Sequence, residues 1–560
     1  IVSGDLVRPS NVVADYPGAL EDVVMTALAT RPEDRFPTAT ALREALAAAA
    51  RELGIAGSLA DLGDTARALG GDRPRPRVDA ITPTRARRWS PAAVLGTGAL
   101  LAGGIALALY IDRPDTPAPA SAREHDGAAV DSPGACGNGT IDRDEECDDG
   151  NAHDGDGCNR DCRVSGTPMW ERSFQGDDPG QTRDDRAYRV AIDDRDDIVV
   201  VGEAAVRDAR QNVFVRKYDR DGNERWTKQP GKAGDDEAWA VQVAADGSIV
   251  VGGYVHTAKT GRDLWLARFT ADGRELWQYE LDAVELAGGP RDPAHPSDDE
   301  IRGLWFTPPD EIVIVGKSLA RGTEDRFAAH GTVDAAGVSL TSWKLAAHEQ
   351  PGGWDAVADI VRVGSTYVLT GDRTLFEPTG TKSMWIGWFD AQGTMLRETA
   401  IDPPGYPQPA GGVGRQLWAA GEVIHVAGSV GGWARDADAH YGALDMQGRV
   451  LWSRSYDGPS SRRDFAQSIT VDRQGNIVVV GEVGGDPGSG GTDEEASAQV
   501  WIVKLAPDLR ELWSELYNGP ENERDVAFDV ATDSTDAIVV VGYQSVAGNG
   551  YDLWVRKIRP

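Results

Sequence analysis

One apolar string recurs seven times, and this limits the possible fold more than any other feature of the chain. The copies are DIVVVGE (197–203), SIVVGGY (248–254), EIVIVGK (311–317), TYVLTGD (366–372), VIHVAGS (423–429), NIVVVGE (476–482) and AIVVVGY (537–543), about 57 residues apart on average. Repeats of this length are single supersecondary units that bury their apolar faces only against one another. Each copy leads into a second strand-like run, such as VFVRKYD, LWLARFT, WIVKLA or LWVRKI. In five repeats a turn and a Trp-bearing segment follow: DGNERW (221–226), DGRELW (272–277), VSLTSW (338–343), QGRVLW (447–452) and DLRELW (508–513). Asp-Gly and Gln-Gly supply the positive φ that a tight hairpin needs.

With a preceding strand such as AYRVAID, each repeat holds four strands, which is one blade of a β-propeller. The AYRVAID strand is expected to line the channel and the Trp strand to lie outermost. The phase of the two ends sharpens the expectation. The last repeat stops after DLWVRKI without a Trp strand, whereas the repeat region opens with an orphan Trp strand, MWERSF (169–174). The opening strand is therefore expected to complete the final blade, a 3+1 closure that removes the open sheet edge. The whole chain reads as multidomain: an all-β seven-bladed propeller (166–560), one transmembrane helix, a small disulfide-rich module and a short α-helical remnant.

These repeats resemble the bacterial SBBP-type β-propeller repeat, whose D-x-A strand, D-x-x-G-N-I turn, V-x-G strand and D-x-W/F-V-x-K strand are seen best in DFAQSITVDRQGNIVVVGE (464–482). The fourth repeat departs, with Met395 and Leu396 where Trp belongs, and the fifth lacks the leading Asp. The resemblance implies a fold and leaves the activity open. Asp185, Asp236, Asp299, Asp355, Asp464 and Asp525 hold one position, just before the channel strand, in six of the seven repeats. They form a candidate carboxylate ring at a channel mouth, able to take a cation or a basic peptide. The simpler alternative is that each ties its own turn, or the adjacent blade, through backbone amides. The eight His are scattered and no GxSxG occurs, so no catalytic residues are expected in the propeller.

Residues 90–111, SPAAVLGTGALLAGGIALALYI, carry no charge. At about 1.5 Å per residue they span a roughly 30 Å hydrocarbon core. Six Arg (73, 75, 77, 85, 87 and 88) precede the run, and Asp112, Arg113 and Asp115 follow it. The positive-inside rule then puts the N-terminal side in the cytoplasm and everything after residue 111 outside, in the periplasm or beyond an inner membrane. Small residues at Ala99 and Gly103, or Gly104 and Ala108, would let two such helices pair as a homodimer. The formal charge of −32 falls entirely after residue 111. Such a surface repels nucleic acid and leaves an extracytoplasmic ligand, protein or peptide as the expected partner.

All four Cys lie between Cys136 and Cys162. The segment CGNGTIDRDEECDDGNAHDGDGCNRDCRV, with Cys136, Cys147, Cys158 and Cys162 spaced C-x10-C-x10-C-x3-C, resembles the Myxococcus cysteine-rich repeat. It is too small and polar to order itself by apolar burial, so two disulfides are expected. Four Cys allow three pairings, and none is selected here. Asp148, Asp149, Asn151, Asp154 and Asp156 offer oxygen ligands to Ca²⁺, or simply form turns without metal.

Residues 17–29 and 39–53 have helical apolar periodicity around the breaker RPEDRFPT, with Thr38 as N-cap. YPGALEDVVMTALATRPEDRFPTATALREAL resembles the last two helices of a bacterial Hanks-type serine/threonine kinase. In that family the residue matching Arg35 makes a buried ion pair with a glutamate earlier in the C-lobe. The resemblance implies a kinase needing ATP and Mg²⁺, but no Gly-rich loop, HRD loop or DFG segment occurs, and the chain opens at Ile1. It is therefore read as a C-terminal fragment without cofactor or catalytic residues of its own. The expected organisation is a kinase-like remnant (1–53), a cytoplasmic Arg-rich linker (54–89), the span (90–111), a Pro/Ala/Asp linker (112–135), the cysteine module (136–165) and the propeller. The leading expectation is a receptor-like kinase whose exported propeller senses a ligand. The alternative is a membrane-anchored adhesion or scaffold propeller without signalling.

Overall fold

The computed structural model describes residues 17–27, 45, 136–142, 145–176 and 184–560, apart from 208–209, 233, 258–260, 284–296, 321–322, 344, 346–355, 375–381, 402, 404–405, 407–410, 432–436, 460–462, 485–497, 522 and 548–549. Two compact units result, Ile1–Ala129 and Val130–Pro560. In the first, Gly18–Ala27 is an α-helix with Val23 buried, within the predicted segment 17–29. Of the second predicted helix only Ala45 is described, and it is helical. Arg35 and the proposed span 90–111 lie outside the described residues. No described helix is long and apolar enough to cross a membrane.

The second unit is a β-propeller. The first repeat shows the plan: strands Arg186–Ile192, Ile198–Ala205, Gln211–Tyr218 and Glu224–Lys228 pair antiparallel in sequence order. The second strand, IVVVGEAA, is buried along its whole length because neighbouring sheets cover both of its faces. That double burial is why it reads as an unbroken apolar run rather than an alternating one. The outer strand, ERWTK, is half-exposed and mixed in polarity.

Five four-stranded sheets and one eight-stranded sheet account for all 28 described strands. The larger sheet consists of the second and third repeats, joined by a short parallel pairing of Ser297 with Gly261 and Asp298 with Arg262. Apolar clusters fill each interface between consecutive repeats. Val199, Val201, Ile249 and Val251 join the first to the second, and the series continues around to Val478, Val480, Ile538 and Val540. A further cluster, Ile198 and Val200 with Phe214, Val539, Val541 and Leu553, joins the last repeat to the first. The inner strands Arg186–Ile192, Glu237–Val243, Ser297–Thr307, Ala356–Val363, Gly412–Ala420, Phe465–Val471 and Val526–Thr532 touch their neighbours in cyclic order, the last against the first, and so enclose a central channel.

Closure follows the predicted 3+1 scheme. Pro168–Phe174 pairs antiparallel with Gly550–Ile558, placing Trp170 opposite Lys557 and Phe174 opposite Leu553. The strand that opens the repeat region is thus the outer strand of the last sheet.

The repeat motif is a set of interlocking contacts. Asp193 accepts hydrogen bonds from the amides of Arg195 and Asp197, closing its turn, and its other oxygen meets Lys217 Nζ at 2.7 Å. Lys217 also reaches the carbonyl of Ala271 in the next repeat, at 3.4 Å. Lys557 does the same between Asp533 (2.7 Å) and the carbonyl of Arg220 (3.0 Å). These pairs explain why the turn Asp and the strand Lys recur together.

The outer-strand Trp locks onto the following repeat. Trp226 lies on Gly273, whose φ of +82° suits a residue without Cβ, and its indole N–H donates to Ala271 O at 3.1 Å. At the seam Trp513 lies instead on Gly166, just after the cysteine module, whose φ is +76°.

The cysteine module belongs to the same compact unit. Cys147 and Cys158 form a disulfide, whereas Cys136 and Cys162 remain thiols, so one of the two expected bridges is present. The sulfurs of Cys136 and Cys162 and a Glu145 oxygen lie within 4.8 Å of one another, and the Cys162 thiol donates to Glu145 at 3.1 Å. Desolvation, then the neighbouring thiol and carboxylate, push Cys162 well above the ordinary thiol range. The Asp-rich turns use their oxygens internally. Asp148 accepts from the amides of Gly137, Asn138, Gly139 and Gly150, and Asp149 from those of Asn151 and Cys158.

Candidate functional site

The predicted carboxylates sit at equivalent places, but buried rather than presented to a channel. Asp185, Asp236, Asp299, Asp464 and Asp525 are at most 1% exposed, and Asp355 lies outside the described residues. Asp185 accepts from Gly176 N (2.7 Å) and Ala205 N (2.6 Å). Asp464 likewise binds the amides of Gly458 and Gly484, and Asp525 those of Gly519 and Ser545. Asp236 holds Lys232 N and His256 N, while Asp299 holds Ala283 N and Ser318 Oγ. The backbone amide of each of four donates to the preceding repeat's third strand or its approach: Asp185 to Tyr551 O, Asp236 to Gln211 O, Asp464 to Ala437 O and Asp525 to Ala498 O. Each Asp is therefore a clasp between consecutive sheets. Burial, the largest influence, raises Asp185 to about 6 and Asp464 to about 7, against the lowering effect of the amides.

A different ring occupies the channel. Every inner strand carries a register shift at one position, between Ala187 and Arg189, Ala238 and Ala240, Ile301 and Gly303, Val357 and Asp359, Gly414 and Gln416, Ala466 and Ser468, and Ala527 and Asp529. A β-bulge re-aims the side chain of the extra residue. Those extra residues are Tyr188, Trp239, Arg302, Ala358, Arg415, Gln467 and Phe528.

Three of them form an aromatic wall. Tyr188 stacks on Trp239 with centroids 3.7 Å apart, and Phe528 meets Tyr188 edge-on at 5.1 Å. Arg302 lies over the other part of this wall, 3.8 Å from the Trp239 ring centre. Contacts between side chains from the last, first, second and third repeats place these groups around the channel axis.

The residues that follow the bulges close the channel. Asp529 accepts from Val190 N (2.8 Å), Gln416 Nε2 (2.8 Å) and Ser468 Oγ (2.7 Å). Gln416 Oε1 accepts from Ile469 N at 3.0 Å, and Asp359 from Leu417 N at 2.9 Å. Arg189 reaches Ala358 O at 3.4 Å, three repeats away. Five of the seven repeats thus meet in one polar layer that forms a floor beneath the bulge ring.

Charged pairs form the rim. The residue after the Gly of each middle strand, namely Glu203, Tyr254, Lys317, Asp372, Ser429, Glu482 or Tyr543, stands beside the start of the inner strand. Glu203 accepts from Tyr188 OH (2.7 Å) and Arg186 (2.8 Å), and Glu482 from Arg524 (3.0 Å) and Gln467 (3.2 Å). Glu300 has Arg262 at 2.5 Å, Lys317 at 3.5 Å and Arg302 in contact. Although burial opposes ionisation, these cations lower Glu300 to about 2. Glu203 moves the other way: burial and then Glu237 raise it against the pull of Arg186.

Arg415 differs from the rest. No acceptor hydrogen-bonds its guanidinium among the described residues, and its Nε is buried without a partner. Its ring contact is with Phe465, at 5.6 Å. Burial lowers its pKa; Asp372 and Glu482 raise it, while Arg302 and Arg189 oppose them.

Sequence reasoning missed this mouth. A usable signal was present: within an otherwise uniform repeat, the residue that ends the apolar string, after its last Gly, varies as Glu, Tyr, Lys, Asp, Ser, Glu, Tyr. A second recess, of about 340 Å³, lies between the cysteine module and the propeller. Its charged groups are paired, Arg160 with Asp154, Arg559 with Asp161 and Arg473 with Asp536, which makes it a joint between the two parts.

Neither a family model nor a curated protein matches the sequence. Similar solved structures include the periplasmic gluconolactonase PpgL of Pseudomonas aeruginosa, 13% identical with a TM-score of 0.37, covering 60% of this chain and 87% of that one. The β-propeller domain of the Pyrococcus furiosus Trilobed protease is 12% identical, with a TM-score of 0.34 and coverage of 66% and 96%. The Neurospora crassa Pan2 WD40 domain is 10% identical, with a TM-score of 0.29 and coverage of 57% and 88%. These likenesses are distant, and the propeller assignment rests on the chain's own strand pairing.

Proposed function

We propose that the chain is the membrane-anchoring and exported part of a receptor-like serine/threonine kinase, and that its seven-bladed propeller binds a small ligand at the channel mouth. The observation that carries the binding reading is the channel mouth, where a ring of aromatic and charged side chains stands beside a polar layer of hydrogen bonds that crosses the channel. Concave sites of mixed apolar and convergent polar character are where small molecules bind. The uncharged run 90–111, the Arg-rich segment before it and the acidic, Cys-bearing part after it support export. The resemblance of residues 16–46 to terminal kinase helices supports the signalling half.

Three measurements test this reading. Alkaline phosphatase fused after residue 135 is expected to be active in cells, and the same reporter fused before residue 85 inactive; the reverse pattern refutes the orientation. Sequence encoding the region ahead of Ile1 is expected to contain a Gly-rich loop, HRD and DFG, and a different domain there leaves the adhesion reading. Ligand binding is expected to change Trp239 fluorescence, with the change lost in Trp239→Leu.

A further inference from the structure

The geometry points to a small organic carboxylate with a ring-shaped body as the occupant of the channel mouth, its carboxylate on Arg415 and its body against the exposed edges of Trp239 and Phe528. This inference rests on the reading of the mouth as a ligand site and adds the chemical class of the ligand.

Charge pairing singles out Arg415. Around the rim, Arg186 pairs with Glu203, Arg262 and Arg302 with Glu300, and Arg524 with Glu482. The acids nearest Arg415 are otherwise engaged: Asp372 accepts from Ala356 N at 3.0 Å, and Glu482 holds Arg524 and Gln467. Arg415 alone among these guanidiniums has no acceptor, and its Nε is buried without one. A buried donor left unmade costs free energy that an incoming acceptor recovers. The planar fork of a guanidinium matches a carboxylate through two parallel N–H···O bonds.

The number of charges favours a monoanion. One guanidinium without an acceptor matches one carboxylate, whereas a phosphate dianion would set a second charge near Asp372, Glu482 and Glu237, which accepts from Trp239 Nε1 at 2.6 Å. The molecule carries a formal charge of −32, so its outer surface does not gather anions, and selectivity has to come from the recess itself.

The remaining wall argues for the body of the ligand. Trp239 and Phe528 are half-buried at the mouth, whereas Tyr188 is buried behind them, stacked on Trp239, and Arg302 covers the other Trp239 face, so the wall offers ring edges to an apolar or ring-shaped body. Arg302 is held on Trp239 and by Glu300, so it shapes the wall rather than supplying a free charge.

The test uses the full chain, with binding read by tryptophan fluorescence and by the shift in unfolding temperature. The probes are 4-hydroxybenzoate and D-glucuronate, their uncharged counterparts 4-hydroxybenzamide and D-glucose, and inorganic phosphate. At least one carboxylate is expected to bind ten-fold or more tightly than its uncharged counterpart and than phosphate. Arg415→Met is expected to erase that preference, and Arg415→Lys, which keeps the charge but loses the fork, to retain part of it. An unfolding temperature near that of the wild type shows that each variant is folded. Equal binding of acid and amide that depends on Trp239 but not Arg415 overturns the carboxylate inference and leaves the ligand-site reading standing. No binding by any probe at millimolar concentration overturns both.

Discussion

Replacing Gly273 by Ala tests whether the Trp-on-turn contact really locks consecutive sheets. Two costs are separable. The φ of +82° at Gly273 costs a residue with a Cβ about 1–2 kcal/mol. The new Cβ would also stand 2.7 Å from Trp226 Cδ2 and 2.9 Å from Cγ, well inside ordinary contact. The indole cannot retreat freely, because its N–H is bonded to Ala271 O at 3.1 Å and its ring packs near Phe269. Overpacking of this kind costs about 1–3 kcal/mol. Gly247, in the same repeat, isolates the first cost: its φ is +76°, yet a Cβ there meets nothing within 4 Å. Gly247→Ala should therefore lose about 1–2 kcal/mol and Gly273→Ala about 2–5 kcal/mol. Equilibrium urea unfolding of the full chain measures both, with an unchanged slope confirming that the midpoint shift reports stability. In a Trp226→Leu background the difference between the two substitutions should shrink to a few tenths of a kcal/mol. Equal costs in the wild-type background, or an undiminished difference in Trp226→Leu, would refute the lock.

Other consequences follow from the same contacts. Lys217→Met leaves Asp193 buried beside a missing partner and should cost roughly 3–5 kcal/mol in urea unfolding. Phe174→Ala removes a ring 4.9 Å from Phe214 and beneath Arg216, at the strand that closes the ring of sheets; a loss of about 2–3 kcal/mol is expected for this half-buried side chain. Asp464 is raised to about 7, chiefly by burial, so the folded state keeps its proton at pH values where the unfolded chain has lost it. Its contribution is greatest near pH 4 and falls as pH rises to about 7, and the stability gap between wild type and Asp464→Asn should narrow over that interval. A gap that is constant or widens with pH contradicts this sign. Mild oxidation should remove two titratable thiols, through a Cys136–Cys162 bond seen by mass spectrometry of unreduced peptides.

The clasp residues show how far a repeated pattern can be interpreted. Six Asp at one position announced a shared role, and the alternative of ties through backbone amides was available from the sequence. Choosing between that and an open carboxylate ring required knowing whether water or amides surround each group. Gly458 and Gly484 are separated from Asp464 by 6 and 20 residues, and only folding brings both amides to it. The cysteines pose the same problem on a smaller scale: spacing identified the module, whereas the pair that bonds depends on where the chain turns around Asp148.

Local and periodic features are what the amino-acid order determined by itself. Strands buried on both faces have to be apolar throughout, tight turns need Gly, and an unmatched strand at each end of the repeats implies closure; all three are visible over a few residues or by counting. The mouth was decided by tertiary structure alone. Tyr188, Trp239, Arg302, Arg415 and Phe528 each come from a separate repeat, and none has a local motif. Their proximity arises because an extra residue in every inner strand turns one side chain toward the axis, where groups far apart in the chain share one recess.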